Sequence, residues 1–319
     1  MTRKSWAIFM LVVVYGLFSS GCGVYPVVQD SSREMSEPNA TTSLWVEPVD
    51  ATHEPYTEQA TAPETQPVLL GMIDVADGDI LERDIIPRFC QVFSLSEQKV
   101  KEILASDVPS FLISDQLTDF RRMEGIILPS RYEIAEGTSL EDYVSFWVDK
   151  AEKRFSSVLA ENVAQNDLAP YEKLILASIV EAECLADKHQ QEVATVFLNR
   201  LDDGTKLQSC VTAEYSLNYQ RPYLTGDDIK IKSEYNTYVV SGLPAGPICV
   251  VSNDSLRAAV GKKMDLEMYF FYYDYVLNYM FFFVDYNNFK DMAAISMKRF
   301  IDASDIGLRE KINKQRIYG

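Results

Sequence analysis

The stretch from Leu174 to Cys184, LILASIVEAEC, constrains the fold more than any other part of the chain. It is an apolar, helix-like run that other elements must cover, yet it places two carboxylates, Glu181 and Glu183, two positions apart. On a helix, residues three, four and seven back share a face. Glu183 therefore looks onto Val180, Ile179 and Leu176, all large, whereas Glu181 looks onto Ser178, Ala177 and Leu174, of which two are small. The small face leaves room for something to bind. A carboxyl among apolar neighbours keeps its proton to higher pH because burial disfavours the charged form, and acid catalysts for glycosidic bonds are made this way. The plainer alternative is that both side chains pair with Lys173, Lys188 or Arg200 at the rim, as charged residues on partly buried helices usually do.

Around this run the chain is organised in four parts. Residues 1–22 read as an address label: Arg3 and Lys4 precede an uncharged segment from Ser5 to Val28, long enough to span the roughly 30 Å core of a bilayer. Its end, Ser19-Ser20-Gly21-Cys22-Gly23, resembles a bacterial lipobox. Lipidation at Cys22 and an uncleaved single-pass anchor are both open, and either places the rest on the extracytoplasmic face of the cytoplasmic membrane. Residues 23–66 are rich in Ser, Thr, Glu and Pro without apolar period, so they read as a disordered tether.

Order is expected from about residue 67. PVLLGMIDVADGD reads as a strand ending in a turn at Asp77-Gly78, and LSEQKVKEILAS as a helix, which together make a small α+β unit over 67–125. From 126 to 319 a larger mixed α/β domain follows. EGIIL and the segment after Pro129-Ser130 read as two strands. Thr138 or Ser139 caps a helix striped by Leu140, Tyr143, Val144, Trp147 and Val148. The helix carrying both glutamates runs on to Lys188, turns near His189, and is followed by a second helix that Gly204 closes. Leu207 to Tyr219 reads as a polar loop, SGLPAGPI as a rigid turn, and Asp254 or Ser255 as the cap of a short helix. EMYFFYYDY and NYMFFFVDY form a hairpin about Val276-Leu277. The fold class is α+β.

Composition removes several function classes. Aspartate and glutamate number 47 against 30 lysines and arginines, a formal charge of −17, which argues against nucleic acid as a partner. Cys90, Cys184, Cys210 and Cys249 show no C-x-x-C spacing, and only His53 and His189 could join them, so no metal site is expected. No glycine-rich phosphate loop is present and no cofactor is implied. One disulfide among Cys184, Cys210 and Cys249 is compatible with an extracytoplasmic location. Free thiols are the other reading, with Cys184 and Cys249 buried as small hydrophobes.

EGIILPSRYEIAEGTSLED, LILASIVEAEC, VATVFLNRLDDGTKLQS and EYNTYVVSGLPAGPIC resemble, in this order, the signature segments of the endolytic murein transglycosylases, the MltG/YceG-like family. The likeness runs over roughly 68–289. It implies a LysM-like unit at 67–125, a transglycosylase catalytic domain at 126–319, and peptidoglycan glycan strands as substrate. Cleavage between N-acetylmuramic acid and N-acetylglucosamine would leave 1,6-anhydro ends. The first glutamate of the E-x-E pattern, catalytic in that family, falls on Glu181. Gln208, Tyr235, Asn236, Thr237 and Tyr238 would line the sugar groove, with Glu183, Asn199, Arg200, Pro244 and Gly246 supporting it. Peptidoglycan synthases are implied as further partners. The sequence departs from the family pattern in three places: Cys184 stands for a threonine, Cys210-Val211 for Asp-Pro, and Leu277-Asn278-Tyr279-Met280-Phe281 for a strand carrying Gly-Gly-His. A wall-bound module that keeps the groove but has weakened or lost the chemistry is the alternative these departures leave open.

Overall fold

The computed structural model describes residues 68–184, 189–218, 224–274 and 276–304. The anchor, Cys22 and the tether lie outside the described residues. Among the described residues no helix is long and apolar enough to cross a membrane.

Strand β1 (Leu69–Val75) buries Ile73 and Val75 and exposes Met72 and Asp74, the alternation expected of a strand with one covered face. A turn then leads through one π-helical turn, Leu81–Ile85, into α1 (Ile86–Phe93). Helix α2 (Glu97–Leu104) starts where Ser96 Oγ accepts the Lys99 amide at 3.2 Å, and it buries Val100, Ile103 and Leu104. Strand β2 (Ser130–Ala135) returns antiparallel to β1, with Ile73 opposite Tyr132.

Helix α3 (Leu140–Glu161) opens with a reciprocal cap: Ser139 Oγ accepts the Asp142 amide, and the Asp142 carboxylate accepts the Ser139 amide. Its buried stripe includes Trp147, which stacks on Phe89 of α1 with ring centroids 5.0 Å apart. One hydrophobic core therefore runs through the residues on both sides of position 125.

Helix α4 (Pro170–Glu183) is central. Leu174, Ile175, Leu176, Ala177, Ile179 and Val180 are all buried, as required of a helix apolar on every side. It packs against α5 (Gln190–Asp202), α6 (Cys210–Leu217) and α7 (Asn253–Val260). Strands β3 (Phe270–Asp274) and β4 (Tyr279–Phe283) form the expected hairpin, with Tyr272 opposite Phe281. Helix α8 (Tyr286–Ser304) lies against β3, and Phe289 stacks on Phe270.

Four expectations are corrected. EGIIL is not a strand: a 3₁₀ turn, Phe120–Met123, precedes it, and the Glu124 and Ile126 amides donate back to Arg121 and Met123 carbonyls rather than to a ladder. Leu207 to Tyr219 is not all loop, because α6 forms within it. The glutamate-bearing helix ends at Glu183, with 185–188 outside the described residues. The cap of α7 is Ser252, whose Oγ accepts the Ser255 amide at 3.2 Å, rather than Asp254 or Ser255.

Candidate active site

Glu181 sits half-buried in the last turn of α4. The small face on which it stands is occupied by the chain itself. Ser178 Oγ donates to the Ile175 carbonyl at 2.7 Å and accepts the Ile248 amide at 3.0 Å, while Cys249 Sγ–H donates to the Ser178 carbonyl at 3.3 Å. Serine and alanine at 178 and 177 thus let residues 248–252 lie directly on the helix. The room read from the small face is a seat for this segment, and the segment then meets the carboxylate. Ser252 donates both its amide, at 3.0 Å, and its hydroxyl, at 2.5 Å, to Glu181 Oε2. Because Ser252 Oγ also accepts the Ser255 amide, its single proton is directed at Glu181.

The same short segment collects two further charged groups. Val250 exchanges both backbone bonds with the turn after β1, accepting the Gly78 amide at 2.9 Å and donating to the Asp79 carbonyl at 2.8 Å. That turn is closed by the Asp79 amide on the Ala76 carbonyl, with Gly78 at φ +79° in the position where a type II turn requires glycine. Arg154 of α3 donates to the Val251 carbonyl at 2.7 Å and to Asn253 Oδ1 at 2.8 Å. Residues 250–253 therefore bring Asp77, Arg154 and Glu181 into one neighbourhood. Burial first, and the Glu181 charge next, push the Asp77 carboxyl up from its ordinary value. Burial pulls the Arg154 guanidinium down, against the attraction of Asp77 and Glu181. Sequence reading missed Asp77, Arg154 and Ser252. Asp77-Gly78 was legible only as a turn, and the bonds that assemble the three join distant parts of the chain.

Glu183 points to a different neighbour: its Oε1 accepts Ser209 Oγ at 2.7 Å, tying the end of α4 to the start of α6. From there a buried polar network runs under the YNTY turn. The Ser209 amide donates to Thr237 Oγ1 at 3.0 Å, Thr237 Oγ1 meets Thr212 Oγ1 at 2.8 Å, and the Gln208 amide donates to the Thr237 carbonyl at 3.2 Å. Asn236 is fully buried, with Nδ2 on the Ile229 and Ile231 carbonyls and Oδ1 accepting the Tyr238 amide. Asn236 and Thr237 thus stand inside the wall of the expected groove, holding its backbone. Tyr235 is buried too, its ring 4.8 Å from that of Tyr215. Gln208, at a left-handed φ of +48°, and Tyr238, whose hydroxyl meets Cys210 Sγ at 3.2 Å, remain half-exposed.

Asn199 and Arg200 are structural ties. Asn199 Nδ2 donates to the Leu266 and Met268 carbonyls, and Arg200 to those of Tyr269 and Leu207, its guanidinium also lying over the Phe270 ring. Pro244 and Gly246 are buried in the rigid turn. A Cβ on Gly246 would come within 2.9 Å of Leu117 Cδ1 and the Tyr171 hydroxyl, so the close approach explains the glycine. Cys249 is buried as expected, whereas Cys184, in the C-cap of α4, is only half-buried. His189 lies against Tyr279 and Phe282 of the hairpin, its Nδ1 3.4 Å from Glu192.

Fold and site together define a mixed helix-and-strand domain whose buried central helix offers one carboxyl, held by two donors, at its C-terminal turn. The chain belongs to the YceG-like family, whose model matches residues 56–294. It is 29% identical over 149 residues to the endolytic murein transglycosylase of Bacillus subtilis (strain 168), a match covering 46% of this chain and 41% of that protein. It is 30% identical over 158 residues to the protein of the same name from Streptococcus pneumoniae (strain D39), covering 47% of this chain and 28% of that one. The chain thus spans less than half the length of these curated relatives. The crystal structure of the yceG-like protein lmo1499 from Listeria monocytogenes superposes with a TM-score of 0.56 at 23% identity, covering 67% of this chain and 73% of that one, a likeness of fold.

Proposed function

We propose that this protein is an endolytic lytic transglycosylase that cleaves peptidoglycan strands with Glu181 as its single acid/base. The observation that carries the reading is the placement of Glu181 at the end of a buried helix, one oxygen fixed by the Ser252 amide and hydroxyl. An oriented carboxyl is what proton transfer to a glycosidic oxygen needs. Protonated Glu181 gives its proton to the bridging oxygen as the bond from the muramic acid C1 breaks, and N-acetylglucosamine leaves with a free hydroxyl. The carboxylate then takes the proton of the muramic 6-hydroxyl, whose oxygen bonds to C1 and closes the 1,6-anhydro ring. Glu181 ends protonated, ready for the next cleavage, and no second carboxylate is needed to position a water.

Gln208 and Tyr238 are the proposed groove residues that keep exposure; Tyr235, Asn236 and Thr237 act from behind them, and Glu183 through Ser209. The LysM-like reading of 67–125 is supported by the strand and two helices within it, and β1 pairs with β2, which lies just beyond residue 125. Membrane attachment through residues 1–22, with lipid at Cys22 or as a single-pass anchor, and association with peptidoglycan synthases belong to the same proposal. A wall-bound module without turnover is favoured by one observation: Cys210, where the family pattern has aspartate, spends its thiol on Tyr238. Mass spectrometry of purified peptidoglycan incubated with the protein separates the two. Anhydro-ended fragments establish the enzyme, and glycan binding without them establishes the module.

A further inference from the structure

The reaction proposed above uses one carboxyl, yet the fold delivers a second to it. The turn at Asp77 is fixed at both ends: Gly78 and Asp79 are bonded to Val250, and the Asp79 side chain turns inward to accept the Ala76 amide at 3.0 Å while pairing with Arg88. Asp77, the residue between, is exposed, and Val250, to which its turn is bonded, lies two residues before the Ser252 that holds Glu181. We propose that Asp77 is a positioning residue for this reaction: its negative charge, held beside Glu181 by the turn docked on Val250, favours the protonated form in which Glu181 must begin.

The inference rests on Glu181 being the acid. Ser252, at the N-terminus of α7, fixes Glu181 Oε2 with two donors and so sets where the carboxyl stands. A like charge beside a carboxyl disfavours its ionised form. Asp77 feels Glu181 in turn, which helps hold its own carboxyl above its ordinary value. The other groups facing the pair are Asp79 on the same turn, Asp254 from α7, Cys249 from the docked segment and Arg154 from α3. Arg154, fixed on the Val251 carbonyl and Asn253, is attracted to both carboxylates and tempers their repulsion so that the pair can coexist.

Coupling between two titrating groups is reciprocal, so it can be read from either side. The Asp77 carboxyl is followed by carbon-13 NMR with labelled aspartate, in the wild-type protein and in Glu181→Gln. Its titration midpoint is expected to fall by roughly 0.5–1 pH unit in the variant. An unchanged midpoint overturns the proposal, whether or not the protein turns over. In the pH profile of anhydro-end release, Asp77→Asn should move the alkaline limb to lower pH by a similar amount, and Asp77→Glu should restore it. A profile that only drops in height, without moving, overturns the positioning role. So do products with reducing rather than anhydro ends that require Asp77, because they make it the base for a water. A wild-type protein that releases no anhydro ends defeats the Glu181 reading instead, and the NMR titration still decides Asp77.

Discussion

Removing one oxygen, in Ser252→Ala, separates two jobs that the structure assigns to one side chain. Ser252 Oγ accepts the Ser255 amide as the cap of α7, and the same hydroxyl donates to Glu181 Oε2. Loss of a serine cap is worth about 0.5–2 kcal/mol. A hydrogen bond to a charged group is worth about 1.5–3 kcal/mol, and the half-buried Glu181 recovers part of that from water and keeps the Ser252 amide. The two share one atom and do not add fully, so about 2–3 kcal/mol is expected. For a folded unit of this size each kcal/mol shifts the melting temperature by about 2–4 °C, which gives a fall of roughly 4–12 °C by circular dichroism. Ser252→Thr keeps the oxygen at an extended backbone position that suits threonine and should recover most of it. Ser255→Ala is the control: among the described residues that hydroxyl is buried without a partner, so its loss should leave stability unchanged or slightly raised. A Ser252→Ala protein melting within about 1 °C of wild type would refute the double role.

Glu124 supplies a pH prediction. Its carboxyl is buried, accepts the Leu81 amide and the Tyr215 hydroxyl, and is pushed up to about 8 by burial. Between its unfolded value near 4.5 and about 8 the folded state holds the extra proton, so its contribution is fully present below pH 4.5 and is lost as pH rises through 8. Urea unfolding at pH 5, 6.5 and 8 should show wild type losing up to about 1.4 kcal/mol per pH unit relative to Glu124→Gln; parallel curves would contradict this. Gly246→Ala forces a methyl against Leu117, Tyr171 and Tyr235 and should destabilise by about 1–3 kcal/mol in the same assay, whereas an unchanged unfolding midpoint would show that the turn can yield.

What the sequence made legible was local. The Ser139 cap and the stripe of α3, the α5 helix, and the β3–β4 hairpin each follow from a period, a cap residue or a turn within a few positions. Helix α6 was hidden because its buried face carries Thr212 and Glu214, and those residues are stabilised by partners such as Thr237 far along the chain. Asn236 and Thr237 look like ligand contacts in a polar, aromatic motif, yet their amide and hydroxyl groups satisfy backbone that the fold buries. At Ser252 two serines and an aspartate compete as caps, and the choice follows from a bond to Glu181 that no local pattern records. The choice of Glu181 over Glu183 came from helical faces together with the family resemblance; in the fold the two carboxylates meet different partners, Ser252 and Ser209. The nature of the small face did not follow, because a methyl or hydroxyl fits a ligand and a crossing backbone equally well.

The measurement that bears most directly on the central claim compares wild type, Glu181→Gln and Glu183→Gln on purified peptidoglycan, with fragments identified by mass spectrometry. Glutamine nearly matches the shape of glutamate and can still accept from Ser252, so Glu181→Gln should fold, but it cannot pass the proton. Such transfer is typically worth about 10²-fold to 10⁴-fold in rate, and release of 1,6-anhydro fragments should fall by that factor. Glu183→Gln should retain release and lose stability through its bond to Ser209. Wild-type levels of anhydro ends from Glu181→Gln, with their loss in Glu183→Gln, would contradict the account.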